Sequence, residues 1–164
     1  MSADHPSGRR PLEFLLVEDN PGDVRLMREA LKEGQIPHRL RVATDGAQAM
    51  ASLRDAERGG GRLPDIILLD LKLPGKSGHD VLAEIRADAR LGRIPVVVLT
   101  SSEAEQEIAR AGKLRADRYI TKPMNLEQLV LVMKSVESFC FTCAGLPGGQ
   151  GYGQMHDKSA AGRG

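Results

Sequence analysis

Tryptophan is absent from the 164 residues, and aromatic side chains make up only 3% of them. Any core must therefore be built from Leu, Val, Ile and Ala. No apolar run approaches the ~20 residues that a membrane span requires. The first eleven residues carry no apolar stretch of the kind a secretory leader needs, so a cytoplasmic location is expected. Neither charge sign dominates: the formal net charge is +1, which gives no global basis for a nucleic-acid or membrane partner. Only two cysteines occur, spaced as Cys140-Phe141-Thr142-Cys143. They fall at the far end of the last predicted helix, where the helix dipole raises rather than lowers a thiol pKa. Two apolar packing residues are expected there, not a redox pair or half of a zinc site.

What is present is organised around Pro64 to Gly75. Ile66 to Leu69 is a four-residue apolar run, too short for a helix and bounded by Pro64 and by the Pro74-Gly75 turn. It reads as a strand buried on both faces, as in a parallel sheet covered by helices. Its C-terminal end delivers Asp70, and in open α/β sheets that end is where ligands bind.

The rest of the chain alternates in the same way. Residues 1–11 form a polar leader. Leu12 to Val17 is a strand, and Asn20-Pro21 supplies an N-cap and a first-turn proline for a helix that Gly34 ends. His38 to Ala43 alternates apolar and arginine, the mark of an edge strand with one wet face. Asp45-Gly46 opens a second helix with Ala47, Met50, Ala51 and Leu53, followed by a flexible loop at Arg58 to Arg62. Ser77 to Asp80 is a capping box for a third helix. Ile94 to Leu99 is a wholly apolar strand ending in Thr100-Ser101. A fourth helix over about Glu103 to Lys113 carries a thin apolar stripe, so it is the element expected to move. Ala116 to Thr121 is an edge-like fifth strand ending at Lys122-Pro123. Asn125 caps a last helix running to Cys143, and residues 144–164 are a Gly-rich tail expected to be disordered.

Five strand–helix alternations specify parallel strands with right-handed crossovers. Placing the most apolar strands centrally yields one α/β domain over residues 12–143, a doubly wound five-stranded parallel sheet of order 2-1-3-4-5. Its strand ends bring together Glu18 and Asp19, Asp70, Thr100 and Ser101, and Lys122. Three carboxylates in one cleft repel unless one protonates or a cation binds, and a hard divalent ion such as Mg²⁺ fits oxygen donors. With a lysine and a hydroxyl opposite, the constellation reads as a phosphoryl-transfer site with the Asp70 carboxylate as nucleophile.

Four stretches, Leu16 to Asn20, Leu69 to Pro74, Val98 to Ser101 and Tyr119 to Pro123, resemble the receiver domains of two-component response regulators, which have a flavodoxin-like fold. The resemblance implies that Asp70 accepts phosphate from a sensor histidine kinase. It also implies that Glu18, Asp19, Asp70 and the backbone carbonyl of Lys72 hold Mg²⁺. Thr100, Ser101 and Lys122 would bind the phosphoryl group, Thr100 and Tyr119 would act as the switch, and Lys122-Pro123 would be cis. Such a protein is not an enzyme acting on a separate substrate, although it promotes its own phosphorylation and dephosphorylation. Lys72 places a cation where many members carry Asn. Asn20 to Asp23 and the long last helix further resemble stand-alone receivers paired with bacterial phytochrome kinases.

No output domain is expected after Cys143, so signal would leave by protein contact. Leu131, Val132, Phe139 and Phe141 extend the apolar surface of the last helix beyond one face. They imply a homodimer through that helix and the fifth strand. The main alternative is a degenerate receiver serving only as a binding module, which would normally have lost Asp70, Lys122 or the acidic pair. A flavin-mononucleotide binder is disfavoured because Glu18-Asp19 would repel its phosphate. A haloacid-dehalogenase-type phosphatase would want an aspartate at the position of Lys72.

Overall fold

Apolar residues alternate between two destinations along each central strand, and that alternation builds the molecule. The computed structural model describes residues 10–101, 116–123 and 125–143. The strands are β1 (Leu12–Val17), β2 (His38–Ala43), β3 (Ile66–Leu69), β4 (Val96–Thr100) and β5 (Arg118–Thr121). The helices are α1 (Pro21–Glu33), α2 (Gly46–Asp55), α3 (Gly78–Ala87) and the last helix α4 (Leu126–Cys143). All strand pairs are parallel and the order is β2-β1-β3-β4-β5, as expected.

Because successive side chains on a strand point to opposite faces, Leu15, Val17, Ile67, Leu69, Val96 and Val98 meet α2 and α3 on one side. Phe14, Leu16, Ile66, Leu68, Val97 and Leu99 meet α1 and α4 on the other. β3 and β4 are buried along their whole length, whereas β2 alternates half-buried with exposed residues. Arg39 and Arg41 take the wet face, as an edge strand requires.

Helix starts are set by side-chain caps. Asn20, Asp45, Ser77 and Asn125 accept hydrogen bonds from the amides of Asp23, Gln48, Asp80 and Gln128, satisfying donors that a helix N-terminus leaves open. At the other end of α1, Gly34 is the C-cap but has a right-handed φ of −78°, and the left-handed residue is Gln35 (φ 56°). Gly34 is needed for closeness instead. A Cβ there would lie 3.2 Å from the Ala30 carbonyl and 3.5 Å from Val130 on α4.

Several expectations need correction. α2 buries Ala49, Met50 and Leu53 but leaves Ala47 and Ala51 exposed. The large side chains set its rotation, since burying an alanine removes little area from water. The expected loop at Arg58 to Arg62 begins as one wider helical turn, Ala56–Gly60, broken at Gly59 (φ 99°). β4 starts at Val96, because Pro95 has no N–H to donate to the ladder, and the Val96 amide bonds the side chain of Asp117 instead.

The supposed second apolar face of α4 is mostly used internally. Phe141 is 5% exposed within the α1/α4 core, and Val132 and Phe139 pack partly against it. Phe141 is therefore not available to a partner: the helix reaches far enough along the sheet for its own core to cover this ring. The Arg118 guanidinium lies 4.8 Å from the Phe139 ring centroid. Leu131, 69% exposed, is the large apolar side chain left open among the described residues. Cys140 is buried in the same core, matching the packing role expected of it. The leader up to residue 9, the helix expected over 103–113 and the tail from 144 lie outside the described residues.

Candidate functional site

Each candidate side chain is placed by a strand ladder that runs one residue past its strand. The Glu18 amide donates to Ala43, the Asp70 amide to Val17 and the Lys122 amide to Thr100, at 2.9, 3.1 and 2.9 Å. These bonds fix the backbone of three charged residues at the C-terminal edge of the sheet, so their side chains converge. Lys122 Nζ lies 2.6 Å from Glu18 Oε1, 3.1 Å from Asp70 Oδ2 and 2.7 Å from Asp23 Oδ2. The remaining oxygens are held by amides: Asn20 donates to Glu18 Oε2 and Lys72 to Asp70 Oδ1, both at 3.1 Å.

Above them opens a cleft lined by Glu18, Asp19, Asn20, Pro21, Asp23, Asp70, Lys72, Ser101 and Lys122. Asp19 and Lys72 are exposed; Glu18 and Asp70 are buried. Thr100 is fully buried at the end of β4, beside the exposed Ser101. Tyr119 is half-buried against the α2/α3 core, and its hydroxyl accepts a hydrogen bond from the Ala116 amide at 3.0 Å.

Four carboxylates facing so few cations leave the site electrostatically unbalanced. Burial, with the Asp70 charge added, pushes the Glu18 carboxyl up to about 7 against the opposing pull of Lys122 and the Asn20 amide. Burial lowers the Lys122 ammonium, but hydrogen bonds to Asp23 and Glu18 and the charges of Glu18 and Asp70 outweigh it, so its pKa is raised. One oxygen from each of Glu18, Asp19 and Asp70 lies within 4.8 Å of the others. A buried carboxylate that resists ionisation among its neighbours, in an all-oxygen donor set, fits a hard divalent cation.

Of the residues expected from sequence, Glu18, Asp19, Asp70, Lys72, Ser101 and Lys122 line this one cleft, whereas Thr100 and Tyr119 are not among its lining residues. Tyr119 packs against the α2/α3 core instead. The Lys122-Pro123 bond also departs from expectation. No described peptide bond is cis, so Lys122-Pro123 is trans. The trans form is the lower-energy isomer for an X–Pro bond by about 0.5–1 kcal/mol, and the Lys122–Thr100 ladder bond already aims the ammonium into the cleft. Two contributors escaped sequence reasoning. Asp23 is one, one turn into α1, and its position three residues after the Asn20 cap was the available signal. Gly78 is the other. A Cβ on it would sit 2.4 Å from the Asp70 carbonyl oxygen and 2.5 Å from Leu71 Cα, a closeness that only the packed structure reveals.

Comparison with known proteins places this geometry. Residues 14–134 match the model of the response regulator receiver domain. Response regulator Rcp1 of Synechocystis sp. is 44% identical over 138 residues, covering 84% of this chain and 94% of that protein. The crystal structure of Rcp1 in its Mn²⁺-bound form superposes with a TM-score of 0.67 at 45% identity, over 79% of this chain and 94% of that one. The phosphorylated cyanobacterial phytochrome response regulator RcpA gives a TM-score of 0.72 at 46% identity, over 84% and 99% of the two chains. The bacteriophytochrome response regulator AtBRR gives 0.67 at 35%, over 78% and 94%. Sheet order, convergent strand ends and near-complete coverage of these relatives agree, and the chain belongs to the response regulator receiver-domain family.

Proposed function

We propose that this chain is a stand-alone response regulator that accepts a phosphoryl group from a sensor histidine kinase onto Asp70. The observation that carries the reading is the double hold on the Asp70 carboxylate. Lys122 Nζ takes one oxygen and the Lys72 amide the other, at the mouth of an acidic cleft. In the transfer, a bond forms between an Asp70 oxygen and phosphorus while the P–N bond of a kinase phosphohistidine breaks, and the imidazole leaves. Lys122 stays beside the phosphoryl oxygens and neutralises their charge. Glu18, Asp19, Asp70 and the Lys72 carbonyl would hold Mg²⁺, which when bound screens the carboxylates from the incoming phosphoryl group. Thr100 and Ser101 supply hydroxyls at the end of β4, and Thr100 with Tyr119 would report the charge change. Loss of the phosphoryl group to water resets Asp70, so the protein turns over itself and no separate substrate.

The phytochrome association of RcpA and AtBRR supports a phytochrome-type kinase as donor, and the exchange would take place in the cytoplasm. Alignment over 94% of Rcp1 supports signalling by protein contact, because it leaves little of that relative for an output domain. Self-association would use the exposed Leu131, the half-buried Val132 and Phe139 and the terminal strand β5 of the sheet, without Phe141.

Acetyl phosphate with Mg²⁺ should place a hydroxylamine-sensitive label on the wild type and none on Asp70→Asn. Equal labelling of that variant would overturn the assignment.

A further inference from the structure

Lys122 is claimed by three carboxylates, and two of them are also metal donors. Glu18 and Asp70 belong to the cluster whose oxygens gather within 4.8 Å, and Asp23 does not. A divalent cation entering the cleft must draw on Glu18 and Asp70 and repel the ammonium that holds them. Asp23, with Oδ2 at 2.7 Å, is the partner that Lys122 keeps among the described residues. It stands on the α1 side of the cleft, its side chain 41% exposed. The turn beneath it is fixed by the Asn20 cap on its own amide.

We propose that Asp23 is a positioning residue for Lys122: it holds the ammonium on the α1 wall, so that Glu18 and Asp70 can be given over to the metal without expelling the lysine from the cleft. Three features support this. The Asp23 carboxylate is anchored on a helix rather than a loop. Its pairing is charge-assisted, so it can compete with the two buried acids. The first turn of α1 is also where a helix favours a negatively charged side chain. Without Asp23, Lys122 falls back on Glu18 and Asp70 and competes directly with the cation.

The inference rests on the metal site proposed above, and its test separates the two. Calorimetric titration of Mg²⁺ into the unphosphorylated full chain is run on wild type, Asp23→Asn, Lys122→Met and the double variant. Asp23→Asn preserves the capping amide, so α1 still starts at the same place. Its direct loss of one negative charge near the metal is common to both backgrounds; loss of lysine positioning acts only where Lys122 is present. The expected result is a Kd raised about tenfold by Asp23→Asn in the wild-type background, the scale of one lost charge-assisted hydrogen bond. In the Lys122→Met background the rise should be about threefold or less. Asp23→Glu, which keeps the charge, should recover most of the wild-type affinity. Equal penalties in the two backgrounds would overturn the positioning role and leave the metal site standing. A wild type with no saturable Mg²⁺ binding would overturn both.

Discussion

Substituting Gly78 by alanine should damage stability and metal binding together, because one added methyl collides with the backbone that carries Asp70. Gly78 opens α3 directly beneath the β3–α3 loop, and its amide donates to the Leu71 carbonyl at 3.0 Å. The alanine Cβ would meet the Asp70 carbonyl oxygen at 2.4 Å and Leu71 Cα at 2.5 Å, where ordinary contact begins at 3.4 Å. Helix and loop must therefore separate by about 1 Å to restore van der Waals distance. Both obstructing groups are backbone, so no side-chain rotation relieves the clash. Overpacking of this kind costs about 1–3 kcal/mol, and weakening the Gly78–Leu71 hydrogen bond adds about 0.5–1.5 kcal/mol. The higher helix propensity of alanine returns at most about 1 kcal/mol. The clash wins, with a net loss of about 2–3 kcal/mol and a fall in Tm on the order of 10 °C.

Gly61→Ala is the matched control, since its backbone is extended (φ 178°) and a Cβ there meets nothing within 4 Å. It should leave stability unchanged or raise it by up to about 1 kcal/mol through the unfolded chain. Urea denaturation followed by far-ultraviolet circular dichroism measures both, and calorimetric Mg²⁺ titration reads the displacement of the Asp70–Lys72 loop. A Gly78→Ala protein as stable as the wild type, with undiminished Mg²⁺ affinity, would show that α3 is free to move off the loop and would refute the reasoning.

Two further outcomes test neighbouring parts of the structure. Asp19→Asn should weaken Mg²⁺ binding by at least tenfold, whereas Lys72→Ala should leave it within about threefold, because in the proposed site residue 72 would contribute only its backbone carbonyl; calorimetry that ranks the two the other way would remove the Lys72 carbonyl from the ligand set. Phe141→Ala should cost about 3–5 kcal/mol, while Leu131→Asp should stay within about 0.5 kcal/mol by denaturation. If the proposed self-association exists, Leu131→Asp should also shift sedimentation at micromolar concentration towards monomer. A wild type that sediments as a monomer with and without phosphorylation would end that idea.

The order of elements and the identity of the site were legible in the linear chain because both rest on local rules. Ile66 to Leu69 could not be anything but a doubly covered strand. Asn20-Pro21 and Ser77 to Asp80 announced helix starts through the chemistry of their own side chains. Once alternation implied parallel strands, topology alone sent Glu18, Asp70, Thr100 and Lys122 to one edge. Packing decided the rest, since it depends on which distant groups come close. Nothing local marks Phe141 as core and Leu131 as surface: both are apolar residues on one helix, separated only by the rotation that α4 adopts against β1, β3 and β4. The rotation of α2 was settled in the same way, by Met50 and Leu53 rather than by the alanines beside them. Lys122-Pro123 is trans, the lower-energy isomer of an X–Pro bond, where the family resemblance implied cis. Asp23 and Gly78 became part of the site only when folding brought Lys122, distant in sequence, to within 3 Å of the one and set the Asp70 carbonyl, across a tight loop, where a Cβ on the other would collide with it. Chemistry can be read residue by residue, but distance between residues far apart in the chain exists only after folding.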